Sequence, residues 1–288
     1  MMEDAALFDT SFIITGLHHT YSHKALFDRT TACISYPCTS SYAKFEYLRR
    51  IGQQIQLAFN TLAQQKSVAD AISHVSSVSS RAKRRSPFLA INALAHVQTV
   101  VRNLRPEIEV RKALSVLRLQ AEELSATFQS RTGLELIDGS GCSYSSMVPS
   151  FVRRGGGDRM RWPEPYCRPT SIRCTVGEHV RKINKDCCNK VFQHLSSINR
   201  TPEQDNIVDV VRKSRSRSWH IIADDRECQR IGDLIIFLDS LQVKLAVTTD
   251  RKDWTALNFL CGVKVVVFSG NPDDRMPDPF MQADAAQT

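Results

Sequence analysis

Several carboxylates in this chain stand just past short apolar runs, where an acid can do chemistry. Lys244-Leu-Ala-Val-Thr-Thr is short, β-prone and mostly apolar, and it runs straight into Asp250, with Asp253 and Trp254 opening the next helix. Upstream, Ile231, Leu234, Ile235, Ile236, Leu238 and Leu241 fall on one side of a helix, with Asp233 among them. The run Ala5–Phe8 ends at Asp9, and Trp219–Ala223 ends at Asp224 and Asp225. Glu46 lies in the early turns of a helix that starts near the cap candidates Thr39, Ser40 and Ser41. In open α/β sheets, ligands bind outside the carboxyl ends of the strands. Ionised carboxylates gathered there without a basic partner repel one another, so such a place calls for a cation. Any one of these acids alone is best explained as a helix cap or the partner of a lysine.

The elements that must position them form an α/β pattern. Strands are expected near residues 5–8, 32–36, 219–223, 244–249 and 264–268, with helical patterns between them. Right-handed crossovers then give a parallel sheet with helices on both faces. Ser11 to Leu17 begins the first helix, and Pro37 stops the second strand. Between about residues 61 and 217 the character changes. Phe88–Leu104 has helical periodicity, Pro106 suits the first turn of a helix over Glu107–Gln129, and together they imply a helical hairpin or small bundle. Ile137–Pro169 is rich in Gly, Ser, Pro and Arg and reads as a long loop or irregular subdomain. Its triple glycine has no strand–helix frame and no following Gly-Lys-Ser/Thr, which excludes a phosphate-binding P-loop.

Four segments, LFDTSFII around Asp9, SSYAKFEYL around Glu46, GDLIIFLDSL around Asp233 and LAVTTDRKDW around Asp250, together resemble the PIN-domain nucleases. In that family an aspartate ends the first strand, a glutamate follows on the helix after the second, a third acid opens a helix, and a fourth follows the next strand. The similarity covers about the first 60 residues and the last 70. It implies a PIN-like sheet over residues 1–60 and 218–270, a mainly helical insertion over 61–217, and a flexible tail over 271–288. There is one departure: Asp224, Asp225 and Glu227 intervene before Asp233, so Asp224 or Asp225 is either an additional acid of the site or a helix N-cap.

The resemblance implies a metal-dependent endoribonuclease. Three or four carboxylates around one cleft suit Mg²⁺ or Mn²⁺, hard cations that prefer oxygen ligands. Such ions activate water and stabilise charge during in-line attack on a phosphodiester. Asp9, Asp233 and Asp250 are then the expected direct ligands, Glu46 a ligand or water positioner, and Asp253 a further acid for the metal. Thr10, Ser11 and Thr249 are expected to hydrogen-bond the ligands or the substrate. Many toxin-type members are held by a cognate antitoxin, so the resemblance also implies an inhibitory protein partner.

The totals agree with an anionic partner. The 288 residues carry a formal net charge of +8 and a pI of about 9.1, with 42% hydrophobic and 24% charged residues. Arg49, Arg50, the knot containing Arg84 and Arg85, and the run containing Arg215 and Arg217 are expected to hold single-stranded RNA by its phosphates, without sequence readout. For short charge runs a solvated face is the ordinary alternative. The N-terminal stretch lacks the features of a signal peptide and no apolar run approaches membrane length, so a cytoplasmic protein with no membrane partner is expected. Nine cysteines, including Cys142, Cys167, Cys174, Cys187 and Cys188, offer no Cys-x-x-Cys pair, so thiols are expected rather than a structural zinc. His18, His19 and His23 read as a polar loop or helix end rather than a metal site. Two alternatives stand beside the nuclease: a non-catalytic RNA-binding or assembly protein on the same scaffold, and a phosphatase-like α/β enzyme.

Overall fold

The apolar run at the N-terminus becomes the middle of a sheet. In the computed structural model, which describes residues 2–82, 87–140, 147–154, 157–163, 175–214, 231–250, 254, 263–271 and 273–276, β1 (Met2–Phe8) is paired in parallel on both sides. One neighbour is β2 (Tyr36–Ser40), which pairs in turn with β3 (Glu135–Ile137). The other is β6 (Val243–Thr248), followed by β7 (Lys264–Val267), so the order is β3-β2-β1-β6-β7 and every ladder is parallel. Ala5 to Phe8 are at most 3% exposed, and Leu245, Ala246 and Val247 are buried in succession. Such unbroken apolar runs are what a parallel strand covered on both faces requires. The protein is thus an α/β protein with a five-stranded parallel sheet flanked by helices.

The helices that follow β1 close over it. Helix α1 (Thr10–His18) and α2 (Tyr21–Ala32) bring Phe12 and Phe27 to Phe8, with ring centroids 5.7–6.0 Å apart, and Phe268 stands 5.0 Å from Phe12. Gly16 lets the two helices meet, because a Cβ there would lie 2.5 Å from Cβ of Phe27. The long α3 (Ser41–Leu62) leaves β2 without a linker.

The chain divides into two compact units: Met1–Glu46, Thr132–Ser145 and Tyr166–Thr288 on the one hand, and Tyr47–Arg131 with Ser146–Pro165 on the other. The first holds the sheet, together with α8 (Thr175–Glu178) continued by a π turn over His179–Ile183, then α9 (Lys185–Ser196), α10 (Pro202–Ser214) and α11 (Gly232–Ser240). The second holds α3 from Tyr47 onward, α4 (Val68–Ala82), α5 (Phe88–Val101), α6 (Pro106–Glu123), α7 (Phe128–Thr132) up to Arg131 and an antiparallel ribbon of β4 (Ser150–Arg154) and β5 (Gly157–Arg161). The expected single insertion over 61–217 is therefore divided between the two units.

Several expectations are corrected. The second strand lies four residues later than 32–36, and Ala32 ends a helix. Pro37 does not stop this strand: β3 first pairs at Cys38, so Pro37 has a strand on one side only, a position that tolerates a missing N–H. The loop expected over 137–169 contains β4 and β5, and the triple glycine reaches into the start of β5. The third sheet strand is Glu135–Ile137, while the candidate at 219–223 lies outside the described residues. Helix α6 ends at Glu123, not Gln129. Cys187 is disulfide-bonded, whereas Cys33, Cys38 and Cys188 are thiols; which cysteines meet is set by the fold, not by their spacing.

In the second unit the ribbon packs on α3 through Trp162, which is 4% exposed and lies where a Cβ on Gly52 would fall, 2.0 Å from Trp162 Cε2. Gly52→Ala is therefore expected to destabilise the protein by about 1–3 kcal/mol, the cost of overpacking, measured by urea unfolding; an unchanged midpoint would mean that Trp162 does not rest on Gly52.

Candidate active site

Asp9 is both the end of a strand and the start of a helix. Its N–H donates to the carbonyl of Val247 at 2.9 Å, continuing the β1–β6 ladder, while its side chain caps α1 by accepting from the N–H of Ser11 at 3.3 Å. These two demands fix the carboxylate at the carboxyl edge of the sheet. From β1 the chain steps to β2 and β3 on one side and returns to β6 and β7 on the other, so the order reverses between β1 and β6. That reversal is the place where open α/β sheets bind ligands.

Two hydroxyls converge on Asp9. Ser11 Oγ donates to Oδ2 at 2.6 Å and Thr248 Oγ1 donates to the same atom at 2.9 Å. Each hydroxyl has one proton, so both protons are committed to Asp9 and the lone pairs must serve other donors. They do: Ser11 Oγ accepts from the N–H of Thr249 at 3.2 Å, and Thr248 Oγ1 accepts from the N–H of Asp250 at 2.9 Å. The turn after β6 is thereby held on Asp9 by a closed set of bonds. All of the bonds to the Asp9 side chain end on Oδ2, and Oδ1 accepts none among the described residues.

Asp9 is only 4% exposed. Burial raises its pKa above the ordinary 3.8; the bond from Ser11 opposes this, the charge of Glu46 adds to it, and the bond from Thr248 opposes it. No lysine, arginine or histidine among the described residues acts on it. Oδ2 is already saturated with donors, so a proton on this carboxyl sits on Oδ1. A cation approaching Asp9 competes for that same atom.

Glu46 is 8% exposed in the second turn of α3. Its position is set locally: Ser40 Oγ accepts from the N–H of Ala43 at 2.8 Å, and Thr10 Oγ1 donates to the carbonyl of Ala43 at 3.4 Å. The start of α3 is thus tied to the start of α1. Asp250 is half-buried after β6, and Asp233, also half-buried, opens α11. Asp224, Asp225 and Asp253 lie outside the described residues. Of the hydroxyl expectations, Ser11 holds. Thr10 bonds α3 instead, and the group facing Asp9 is Thr248 rather than Thr249, which contributes its backbone N–H.

Among the described residues no three Asp, Glu, His or Cys side chains stand close enough to hold a metal ion by themselves. Mg²⁺ does not require such a cage, because it is commonly held by one or two carboxylates with waters and substrate phosphates completing the shell. The open Oδ1 of Asp9, with the carboxylate of Glu46 near enough for its charge to act on it, fits that donor chemistry.

The histidine group is a polar tie. His23 Nδ1 lies 2.6 Å from Thr20 Oγ1, and its Nε2 lies 2.9 Å from the carbonyl of Gly270, to which it must donate. Arg49 and Arg50 are half-buried on the part of α3 that belongs to the second unit; Arg84, Arg85, Arg215 and Arg217 lie outside the described residues. No described helix is long and apolar enough to cross a membrane. Compared with family models, curated proteins and solved structures, the chain matches none.

Asp239 is a buried acid absent from the candidates above, though in FLDSL it stands among apolar residues. It is 1% exposed; Oδ1 accepts from the N–H of Ser140 at 2.5 Å, and Oδ2 has no hydrogen-bond partner among the described residues. Burial pushes its pKa up to about 7, against the pull of the bonds from Ser140 and Ser40. The native state therefore keeps a proton that the unfolded chain loses near 3.8. This contribution to stability is full below about pH 4 and is lost as pH rises through about 7. Asp239→Asn, which imitates the protonated form, is expected to be more stable than wild type at pH 8, by a few kcal/mol at roughly 1.4 per pKa unit, and to match it at pH 4. Thermal melts across this range provide the check; equal losses in both proteins between pH 4 and 8 would count against it.

Proposed function

We propose that this chain is a metal-dependent endoribonuclease that hydrolyses phosphodiester bonds in single-stranded RNA, working in the cytoplasm on a PIN-like scaffold. One observation carries the reading: a buried aspartate at the reversal of strand order, with Oδ2 saturated by donors, Oδ1 accepting no bond among the described residues, and the charge of Glu46 acting on it. The local placement of the acids supports it as well. Asp9 ends β1, Glu46 lies on the helix after β2, Asp233 opens α11, and Asp250 follows β6.

In this reading Asp9 and Glu46 hold Mg²⁺ or Mn²⁺, with Asp250 and Asp233 as further acids around the reacting phosphate. The ion supplies an activated water and charge stabilisation when bound. Ser11 and Thr248 hold the Asp9 carboxylate in one orientation, which limits its rearrangement during the reaction. Glu46, if not a ligand, orients the attacking water. An inhibitory protein partner belongs to the same proposal. A second reading is a non-catalytic RNA-binding or assembly protein on the same scaffold.

The test is cleavage of labelled single-stranded RNA with Mn²⁺, with Mg²⁺ and with chelator. In Asp9→Asn the amide oxygen can take the place of Oδ2 and keep the cap, while an NH₂ group replaces the open Oδ1, so the variant folds but cannot take a cation there. Cleavage that needs metal and falls at least about 100-fold in Asp9→Asn is the expected result, an effect of ~2.7 kcal/mol or more on the barrier. The acid side of the pH profile is expected above the ordinary aspartate range and to move down as metal is raised, because proton and cation compete for one oxygen. Cleavage in chelator, or undiminished in Asp9→Asn, overturns the proposal; RNA binding without cleavage favours the second reading.

A further inference from the structure

The two units differ sharply in charge. The unit of Tyr47–Arg131 and Ser146–Pro165 has 17 Lys and Arg against 7 Asp and Glu, a net +10, whereas the rest of the chain has 21 against 23, a net −2. The whole basic excess of the protein therefore belongs to the unit that does not contain Asp9.

Within that unit the β4–β5 ribbon has one face against helices and one face open. Phe151 and Met160 are paired across the ribbon and point inward: Phe151 stands 5.7 Å from Phe59 on α3 and under the Arg118 guanidinium of α6 at 4.4 Å, and Met160 is 2% exposed. The free edge of β5 is capped by α3. The side-chain amide of Asn60 bonds both the N–H and the carbonyl of Met160 at 2.9 Å, and Gln56 accepts from the N–H of Trp162. An edge closed in this way is poorly suited to pairing with another strand.

The opposite face consists of the pairs Ser150–Arg161 and Val152–Arg159. All four residues are exposed, and neither arginine has an ion-pair partner among the described residues. Two residues apart on one strand, the arginines stand about 6.6–6.8 Å apart along it, close to the repeat of phosphates in an extended single strand. A guanidinium presents a planar fork to phosphate oxygens. We propose that this ribbon face is a docking surface for the phosphate backbone of single-stranded RNA, held rigid by Trp162, Asn60 and Gln56, with Arg159 and Arg161 as its contacts. The choice of RNA rests on the nuclease reading; the surface itself rests on charge and register.

The test is the affinity of the full chain for a labelled single-stranded RNA, measured in chelator by fluorescence anisotropy from 50 to 300 mM salt, so that cleavage plays no part. R159A/R161A is expected to weaken binding at least tenfold at low salt and to reduce the slope of log K against log salt by about 1.4, two contacts at ~0.7 each. R159K/R161K, which keeps the charge, is expected to retain most of the slope. R102A/R105A, an exposed pair of the same unit, controls for net charge and is expected to change affinity less than threefold. A ribbon variant no weaker than this control, or polyglutamate competing as well as RNA, overturns the proposal. Cleavage is read separately with metal: a protein that binds through the ribbon without cleaving removes the nuclease reading and leaves this surface, whereas one that cleaves with the ribbon variant binding normally does the reverse.

Discussion

A carboxylate buried with no cationic partner among the described residues is expensive, and this sheet is built around one. Asp9 tolerates its position because Ser11 and Thr248 donate to a single oxygen and, in the same geometry, accept the N–H groups of Thr249 and Asp250. The bonds join the end of β1, the first turn of α1 and the turn after β6. Without Thr248, Asp9 would lose a donor and the amide of Asp250 its acceptor, so both sides of the strand-order reversal would loosen together. That one carboxyl oxygen is satisfied and the other accepts no bond among the described residues separates this arrangement from a simple helix cap, which needs only the first.

The surroundings divide the electrostatic work. The unit containing Asp9 is slightly acidic, and among the described residues the charge that acts on Asp9 is the carboxylate of Glu46. An anion brought to such a place is repelled unless a cation intervenes. The other unit holds the net positive charge, and its ribbon presents arginines on a face fixed from behind by packed aromatic rings and amide bonds. Attraction for a polyanion and the proposed carboxylate chemistry thus belong to different parts of the sequence, which is reasonable for residues that would neutralise one another if interleaved.

The placement of several acids of the candidate site could be read from the sequence because its rule is local. An apolar run ending in an acid places that acid at the carboxyl end of a strand, and Asp9 and Asp250 obey it. Glu46 was readable because a helix had to follow the second strand. Errors arose where tertiary pairing overrode local signals. Pro37 sits inside β2 because its neighbour β3 is too short to reach it, and β3 is only three residues long, below any periodicity. The glycine-rich stretch next to Arg153 and Arg154 looks like a loop until Phe151 and Met160 are seen facing the helices across a ribbon. Thr248 and Thr249 are adjacent and chemically alike, so only strand register decides which hydroxyl reaches Asp9. How closely the acids approach one another is a property of the packed chain, and no spacing reveals it.

The most direct measurement is Mn²⁺ binding to the purified protein, followed by the electron paramagnetic resonance signal of the free ion, with wild type beside Asp9→Asn. Saturable binding in wild type that weakens as pH falls and is lost in the variant is the expected result. Absence of saturable binding in wild type, or binding that Asp9→Asn leaves intact, would contradict a cation site at the open oxygen of Asp9.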